Sequence, residues 1–273
     1  MQGSFYLVMR EGLGMVISIG TVLLITRTIG PTQYGIFTAA FGLCAFLQNF
    51  GHLGIGIYLV RQEGEQSLKD YHQAFTLFVL IGGAVVAIGL LALPWIQIWL
   101  KIQGFAPIFE VLAIASFFTV LSQAPLAKLE RDLEFRRIAW VELLGQILLF
   151  AVSLPLAMRG SGAWAPTLGY LAQQVQTLIL LCFTAHYLPR LTWDWERIRP
   201  MMSYSIGIST SSWVWYVRNL INPLIVGRFA GETVVGQVAL AIRMLDVLSF
   251  VKAATYRISI SALAQMQSDV GRL

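Results

Sequence analysis

The sequence predicts an all-α polytopic membrane protein with about eight transmembrane helices. Three observations carry that expectation. Of the 273 residues, 57% are apolar and only 12% are charged, whereas soluble domains carry roughly a quarter charged residues. The mean hydropathy is +0.70. Eight stretches approach the roughly 20 mostly apolar residues that a helix needs to cross hydrocarbon, and the separators between them are short and rich in turn formers.

In order, the segments are Gly12–Ile29, Gly35–Val60, Ala74–Trp99, Pro107–Leu126, Ile138–Met158, Trp164–Tyr187, Met201–Gly227 and Val234–Tyr256. Gly30-Pro31 breaks the first pair, the polar run at 61–67 ends the second segment, and Arg159-Gly-Ser-Gly splits the fifth from the sixth. No separator is long enough for a folded extramembrane domain. The apolar run at the N-terminus is too long for a secretory leader, and no small-residue cleavage site follows it.

The net charge is +5 and the pI about 9.4. Without a basic stripe interleaved with aromatics, this balance does not point to nucleic acid. It fits Lys and Arg collected in cytoplasmic loops beside anionic lipid. With the N-terminus inside, the inner segments hold Arg10, Arg61, Lys69, Lys128, Arg131, Arg136, Arg137, Arg190, Arg197, Arg199, Arg257 and Arg272. The outer ones hold Arg27, Lys101, Arg159 and Arg228, while Arg218, Arg243 and Lys252 fall within helices. The bias places both termini in the cytoplasm. Trp95, Trp99, Trp164, Trp193 and Trp195 sit at segment ends as interfacial anchors. Cys44 and Cys182 read as small core residues. His52, His72 and His186 share no metal-ligand spacing, so no metal is expected.

The chain repeats itself at an offset of 201 residues. Leu23–Ala40 aligns with Leu224–Ala241, and the pairs Leu23/Leu224, Arg27/Arg228, Gly30/Gly231, Thr32/Thr233, Gly35/Gly236 and Ala40/Ala241 are identical. Each copy is a helix end, an interfacial Arg, a glycine hairpin and a new helix. The competing reading is that any two helical hairpins would place Arg and Gly there. Six segments separate the copies, an even number, so both point the same way across the membrane. Parallel repeats around a cavity are a transporter design. The expected organisation is therefore a six-helix bundle over 1–200 and the first two helices of an incomplete second bundle over 201–273. The chain is expected to be a fragment of a longer one.

Arg27-Thr-Ile-Gly-Pro-Thr-Gln-Tyr-Gly35 resembles the first-hairpin motif of the bacterial polysaccharide flippases. These are the Wzx-like O-antigen and exopolysaccharide exporters of the multidrug/oligosaccharidyl-lipid/polysaccharide superfamily. Leu129-Glu-Arg-Asp-Leu-Glu-Phe-Arg136 resembles the family's loop between helices four and five. Gly162-Ala-Trp-Ala165 is similar to its entry into helix six, and Asn222-Pro-Leu-Ile-Val-Gly-Arg228 to the end of its helix seven. One departure is that the family commonly carries Asp where this chain has Asn222, so a charge-dependent coupling role is not carried over.

The resemblance implies export of a lipid-linked oligosaccharide, of the undecaprenyl-pyrophosphate type, across the bacterial cytoplasmic membrane by alternating access. It implies no enzyme activity and no cofactor. The candidate energy sources are proton and sodium gradients, and the candidate partners are membrane lipids and polysaccharide assembly proteins. Phosphates would need a basic contact and sugars would need hydrogen bonds. Arg218 is the leading phosphate candidate, because a charge within a membrane helix usually faces a cavity and a guanidinium fits phosphate oxygens. Snorkelling or a structural pair is the competing reading. Asn219 and Asn222 follow it, with Asn222 on the same face, and Ser209, Ser211 and Ser212 extend the wall. Arg10 lies at the cytoplasmic mouth. Gln48, Asn49 and His52 in the second segment, and Gln173, Gln174 and Gln176 in the sixth, are candidate sugar contacts, with helix packing as the alternative. Arg243 and Asp246, three apart, read as a local ion pair or gating element. Glu110 and Glu142 read as structural.

Competing functions are a multidrug extruder of the same superfamily, a membrane polymerase or ligase of polysaccharide assembly, and a structural subunit. The polymerase or ligase would need a sizeable outer loop with catalytic residues, and the outer loops here are all short.

Overall fold

The computed structural model describes residues 2–61, 67–218 and 220–245, with side chains described outside 2–16 and 208–218. Among the described residues the chain is helical and no strand occurs. In order the helices are α1 (Gln2–His52), α2 (Ile55–Arg61), α3 (Leu68–Leu100), α4 (Phe105–Leu121), α5 (Gln123–Arg131), α6 (Phe135–Met158), α7 (Trp164–Thr184), α8 (Trp195–Arg218) and α9 (Ile221–Leu245).

Helix α1 is not one rod. Gly30 breaks it at φ 80°, ψ 162°, a region open essentially to glycine alone. Pro31 follows, and its missing N–H suits the first turn of a new helix. Residues on both sides of Gly30, among them Ser18, Ile25, Tyr34 and Gly42, line one cavity, so the chain turns back there. Helix α9 repeats the device. Gly231 has φ 81°, and residues before and after it, including Asn222 and Ile242, line that same cavity. Alanine at Gly30 is expected to cost about 1–3 kcal/mol of backbone strain. A lowered thermal unfolding midpoint of the purified protein would show it, and an unchanged midpoint would refute it.

Four described helices or helix pairs are long and apolar enough to cross a bilayer on their own, Leu68–Leu100, Phe105–Arg131, Phe135–Met158 and Ile221–Leu245. A fifth span is α1 from Ile17 with α2, bent by 43° between them. The difference from about eight has physical causes. In both α1 and α9 a glycine turn joins two of the expected segments, so each pair is met as one element although the chain turns back within it. Helices α7 and α8 carry more Gln, Ser and Thr. The second segment, expected unbroken to Val60, is interrupted at Leu53 and Gly54, which have φ 41° and 68°.

Small residues let these helices approach, the device that substitutes for hydrophobic driving force in lipid. A Cβ on Gly169 of α7 would lie 2.0 Å from Ser153 Oγ of α6, and one on Gly89 of α3 would lie 2.7 Å from Leu47 of α1. Large apolar side chains point outward instead: Leu91, Trp95 and Ile98 are all about 70% exposed, as a lipid-facing stripe requires.

Several polar contacts lie at the two ends. At one end Arg197 meets Asp70 at 2.7 Å, Lys128 Nζ donates to the Ala185 carbonyl at 2.9 Å, and Arg131 to the Leu59 carbonyl at 2.9 Å. The Asp70 carboxylate also accepts from the Ser67 N–H at 3.0 Å and so caps α3. At the opposite end the Ala163 N–H donates to Gln33 Oε1 at 3.0 Å, and Arg228 lies over the Trp99 ring at 5.5 Å from its centroid. Arg197, Lys128 and Arg131 thus lie at one end and Arg228 at the other.

Candidate functional site

A cavity of about 850 Å3 lies between α1, α6, α7 and α9, the helices that carry the two repeats and the middle of the first bundle. Its wall is mainly apolar and aromatic. Tyr34, Phe37 and Phe41 fall on one face of α1 at helical spacing. Phe37 and Phe41 stack at 5.6 Å, and Phe41 meets Tyr170 of α7 edge-on at 5.1 Å.

Polar groups interrupt this wall at a few places. Thr21 and Thr38 donate their hydroxyls back to the Ile17 and Tyr34 carbonyls at 2.7 and 3.0 Å, which leaves each oxygen able to accept. Gln146 of α6 and Gln173 of α7 also line the cavity. The buried Gln146 Oε1 has no hydrogen-bond partner among the described residues. Among the described residues the cavity's cation is Arg243, on the second half of α9, which donates to the Ser18 hydroxyl of α1 across the space between the repeats.

Asn222 reaches the cavity through an irregular turn. Helix α9 opens with the π-helical stretch Ile221–Val226, and Pro223 inside it has no N–H to donate to the preceding turn. Such widened turns often mark functional positions. Asn222 Nδ2 donates to the Val235 carbonyl at 3.5 Å, across the Gly231 turn, while its buried Oδ1 is unpartnered among the described residues.

Of the residues expected from sequence, Asn222 and Arg243 come together here, and Gln173 joins them. Arg218 ends α8, but its side chain, like that of Arg10 in α1, is outside the described ones, and Asn219 and Asp246 are outside the described residues altogether. The expected Arg243–Asp246 pairing therefore lies beyond the description, and the described partner of Arg243 is Ser18. Gln48, Asn49 and His52 are not among the cavity's lining. Gln48 donates to Ser116 at 2.8 Å and to Tyr170 at 3.3 Å, Asn49 to its own helix at Ala45, and the His52 Nε2 atom is buried without a described partner. Of the hairpin residues Arg27, Gly30, Gly35, Arg228, Gly231 and Gly236, none is among the cavity's lining, and Gly35 and Gly236 meet backbone to backbone. Cys44 and Cys182 are free thiols.

Sequence reasoning missed Gln146 and the aromatic face. Glu142 and Gln146, four apart within an apolar run, were the available signal for a polar stripe on α6.

A helical membrane protein with a cavity between two related hairpins has the build of a transporter. The chain belongs to the polysaccharide biosynthesis protein family, whose model matches residues 24–273, as the first-hairpin resemblance implied. It is 24% identical over 265 residues to the lipopolysaccharide biosynthesis protein WzxC of Escherichia coli K12, covering 96% of this chain and 53% of that protein. It is 21% identical over 251 residues to the succinoglycan biosynthesis transport protein ExoT of Rhizobium meliloti, covering 91% of this chain and 50% of that protein. The chain thus spans about half the length of the curated relatives it matches. No solved structure matches it.

Proposed function

We propose that the protein moves a lipid-linked oligosaccharide of the undecaprenyl-pyrophosphate type across the bacterial cytoplasmic membrane by alternating access, with both termini cytoplasmic. The observation that carries this reading is the cavity between the two repeats, where, among the described residues, one guanidinium and several amides and hydroxyls interrupt an aromatic wall. The cargo's head must cross about 30 Å of hydrocarbon while its lipid tail stays in the bilayer. Arg243 and Arg218 are the proposed diphosphate contacts. Asn222, Gln146 and Gln173 offer hydrogen bonds to sugar, and the rings of Tyr34, Phe41 and Tyr170 offer apolar faces to its C–H surfaces. Asn219 and Arg10 remain proposed contacts on the strength of sequence alone, whereas Gln48, Asn49 and His52 lie off the cavity wall and take no part in this reading. The reading assigns transport and no bond chemistry. A proton or sodium gradient is the proposed energy source, and polysaccharide assembly proteins are the proposed partners.

Deletion of the gene is expected to leave lipid-linked repeat units accumulating on the cytoplasmic side while surface polysaccharide falls, with both reversed by the full chain in trans. Surface polysaccharide that stays at its normal level in the deletion strain would overturn the reading.

A further inference from the structure

We propose that Gln48 is a positioning residue: it holds the hydroxyl of Tyr170 inside the first bundle, so that the Tyr170 ring stands in the cavity as a fixed platform for one sugar of the cargo. Gln48 lies off the cavity wall, on the second half of α1, and its side chain bridges to two other helices. Its Nε2 donates to the Ser116 hydroxyl of α4 at 2.8 Å and to the Tyr170 hydroxyl of α7 at 3.3 Å. Both hydrogens of the amide are thereby used. The neighbouring Asn49 turns its amide back to its own helix, at the Ala45 carbonyl, whereas Gln48 reaches residues 68 and 122 positions away. The anchor is firm, because Ser116 is buried and gives its own proton to the Leu112 carbonyl at 2.7 Å. The Thr119 side chain is the other hydrogen-bonding neighbour of the Tyr170 hydroxyl. Thr119 donates to the Ala115 carbonyl at 3.1 Å, so its oxygen is the one that accepts the phenol proton. That proton is therefore committed away from the cavity.

Tyr170 lines the cavity, whereas Gln48 and Ser116 do not. With the polar tip drawn into the bundle, the part left at the wall is the ring. Phe41 meets it edge-on, with centroids 5.1 Å apart and planes at 89°. The ring is thus held at its backbone, at its tip and from one side, and a surface fixed before binding loses little freedom when cargo arrives. A pyranose has a face made mainly of C–H groups, which suits the electron-rich face of an aromatic ring. Its rim hydroxyls need amides. Gln173, three residues on from Tyr170 along one helix face, and Gln146 of α6 line the same cavity, and Gln146 Oε1 is unpartnered among the described residues. A sugar stacked on Tyr170 therefore has hydrogen-bonding groups beside it. Arg243 serves the diphosphate, which every cargo of this type carries. The platform responds to the sugar, so the two requirements are met on different helices.

The proposal rests on the lipid-linked oligosaccharide reading, and two probes separate them. One is the lipid-linked repeat unit extracted from the deletion strain. The other is undecaprenyl diphosphate, which carries no sugar. The dissociation constant of each is measured on the purified full chain in lipid nanodiscs. Wild type is expected to bind the sugar-bearing probe more tightly, and that preference is the readout, because general damage to the bundle weakens both probes alike. Tyr170→Leu removes the ring and should lower the preference roughly ten-fold. Gln48→Met keeps the shape but has no donor, and Tyr170→Phe keeps the ring but has no hydroxyl. Each should lower the preference about five-fold, the scale of one net hydrogen bond. The double variant should fall no further than either single one, because both break the same link. Arg243→Ala should weaken both probes and leave the preference as it was. A preference unchanged in folded Gln48→Met, or single effects that add in the double variant, overturns the positioning role. A preference unchanged in Tyr170→Leu, or wild type binding both probes equally, overturns the platform while the cargo reading stands. Wild type that binds neither probe overturns the cargo reading, and the platform with it.

Discussion

Replacing Gly169 by valine is expected to destabilise the α6–α7 packing strongly. Gly169 is buried on α7 where that helix crosses α6, and a Cβ there would lie 2.0 Å from Ser153 Oγ and 2.9 Å from the Leu149 carbonyl oxygen. Ser153 is itself fully buried, and a backbone carbonyl cannot rotate away. Relief must come from separating the helices. Overpacking a close contact costs about 1–3 kcal/mol, and the upper end applies where backbone is struck. With roughly 2–4 °C lost per kcal/mol in a chain of this size, the thermal midpoint in detergent should fall by roughly 6–12 °C. Gly20→Ala is the control. It lies in α1 with nothing within 4 Å of its would-be Cβ, so alanine should leave the midpoint unchanged or raise it slightly by favouring the helix. Equal midpoints for the two variants would show that α6 and α7 are not packed as described. Leu149, Pro166, Tyr170 and Gln173 of these helices line the cavity, so the wedge also deforms the site.

The hairpins were legible in the sequence because their constraints are local and covalent. A glycine with positive φ, a proline after it and an arginine at the water boundary each have a residue type that fits, and the same set occurs twice. The cavity was less legible. In water, the face of a helix that turns inward differs in polarity from the face that turns out. In lipid both are apolar, so the periodicity of α6 does not tell Gln146's neighbours from those that face hydrocarbon. Tyr34, Phe37 and Phe41 read as ordinary apolar content until the turn at Gly30 folds their helix against Ser18 and Ile25. Arg243 shows the limit of spacing arguments. Its described partner, Ser18, is 225 residues away, and no local pattern encodes that contact, while the expected pairing with Asp246 falls outside the described residues. The break at Leu53 and Gly54 was similarly hidden, because Gly54 sits in an apolar run where glycine is also common for packing.

Arg243→Ala is expected to lower export by roughly ten-fold or more while leaving the folded protein in the membrane at near-normal abundance. An arginine on a cavity wall within the bilayer is costly to place, at least about 2.5 kcal/mol near a helix centre, and this one is held by a neutral hydroxyl. A cargo diphosphate would give it charge-assisted hydrogen bonds, worth about 1.5–3 kcal/mol each, which corresponds to roughly 10- to 150-fold in rate if they are made during passage. Removing the guanidinium loses that contribution and, among the described residues, leaves only the Ser18 hydroxyl unpartnered at the wall, a small penalty because the cavity is open enough to admit water. Arg243→Lys separates charge from geometry. It keeps the cation but not the planar fork, so export should fall between wild type and alanine. Ser18→Ala removes only the positioning contact and should reduce export less than either. The measurement is the rate of surface polysaccharide appearance, normalised to protein in the membrane by immunoblot. If Arg243→Ala exports at the wild-type rate, the phosphate contact passes to Arg218 or is absent. If all three variants fall equally and lose protein, Arg243 serves to hold α9 against α1, and its role is structural.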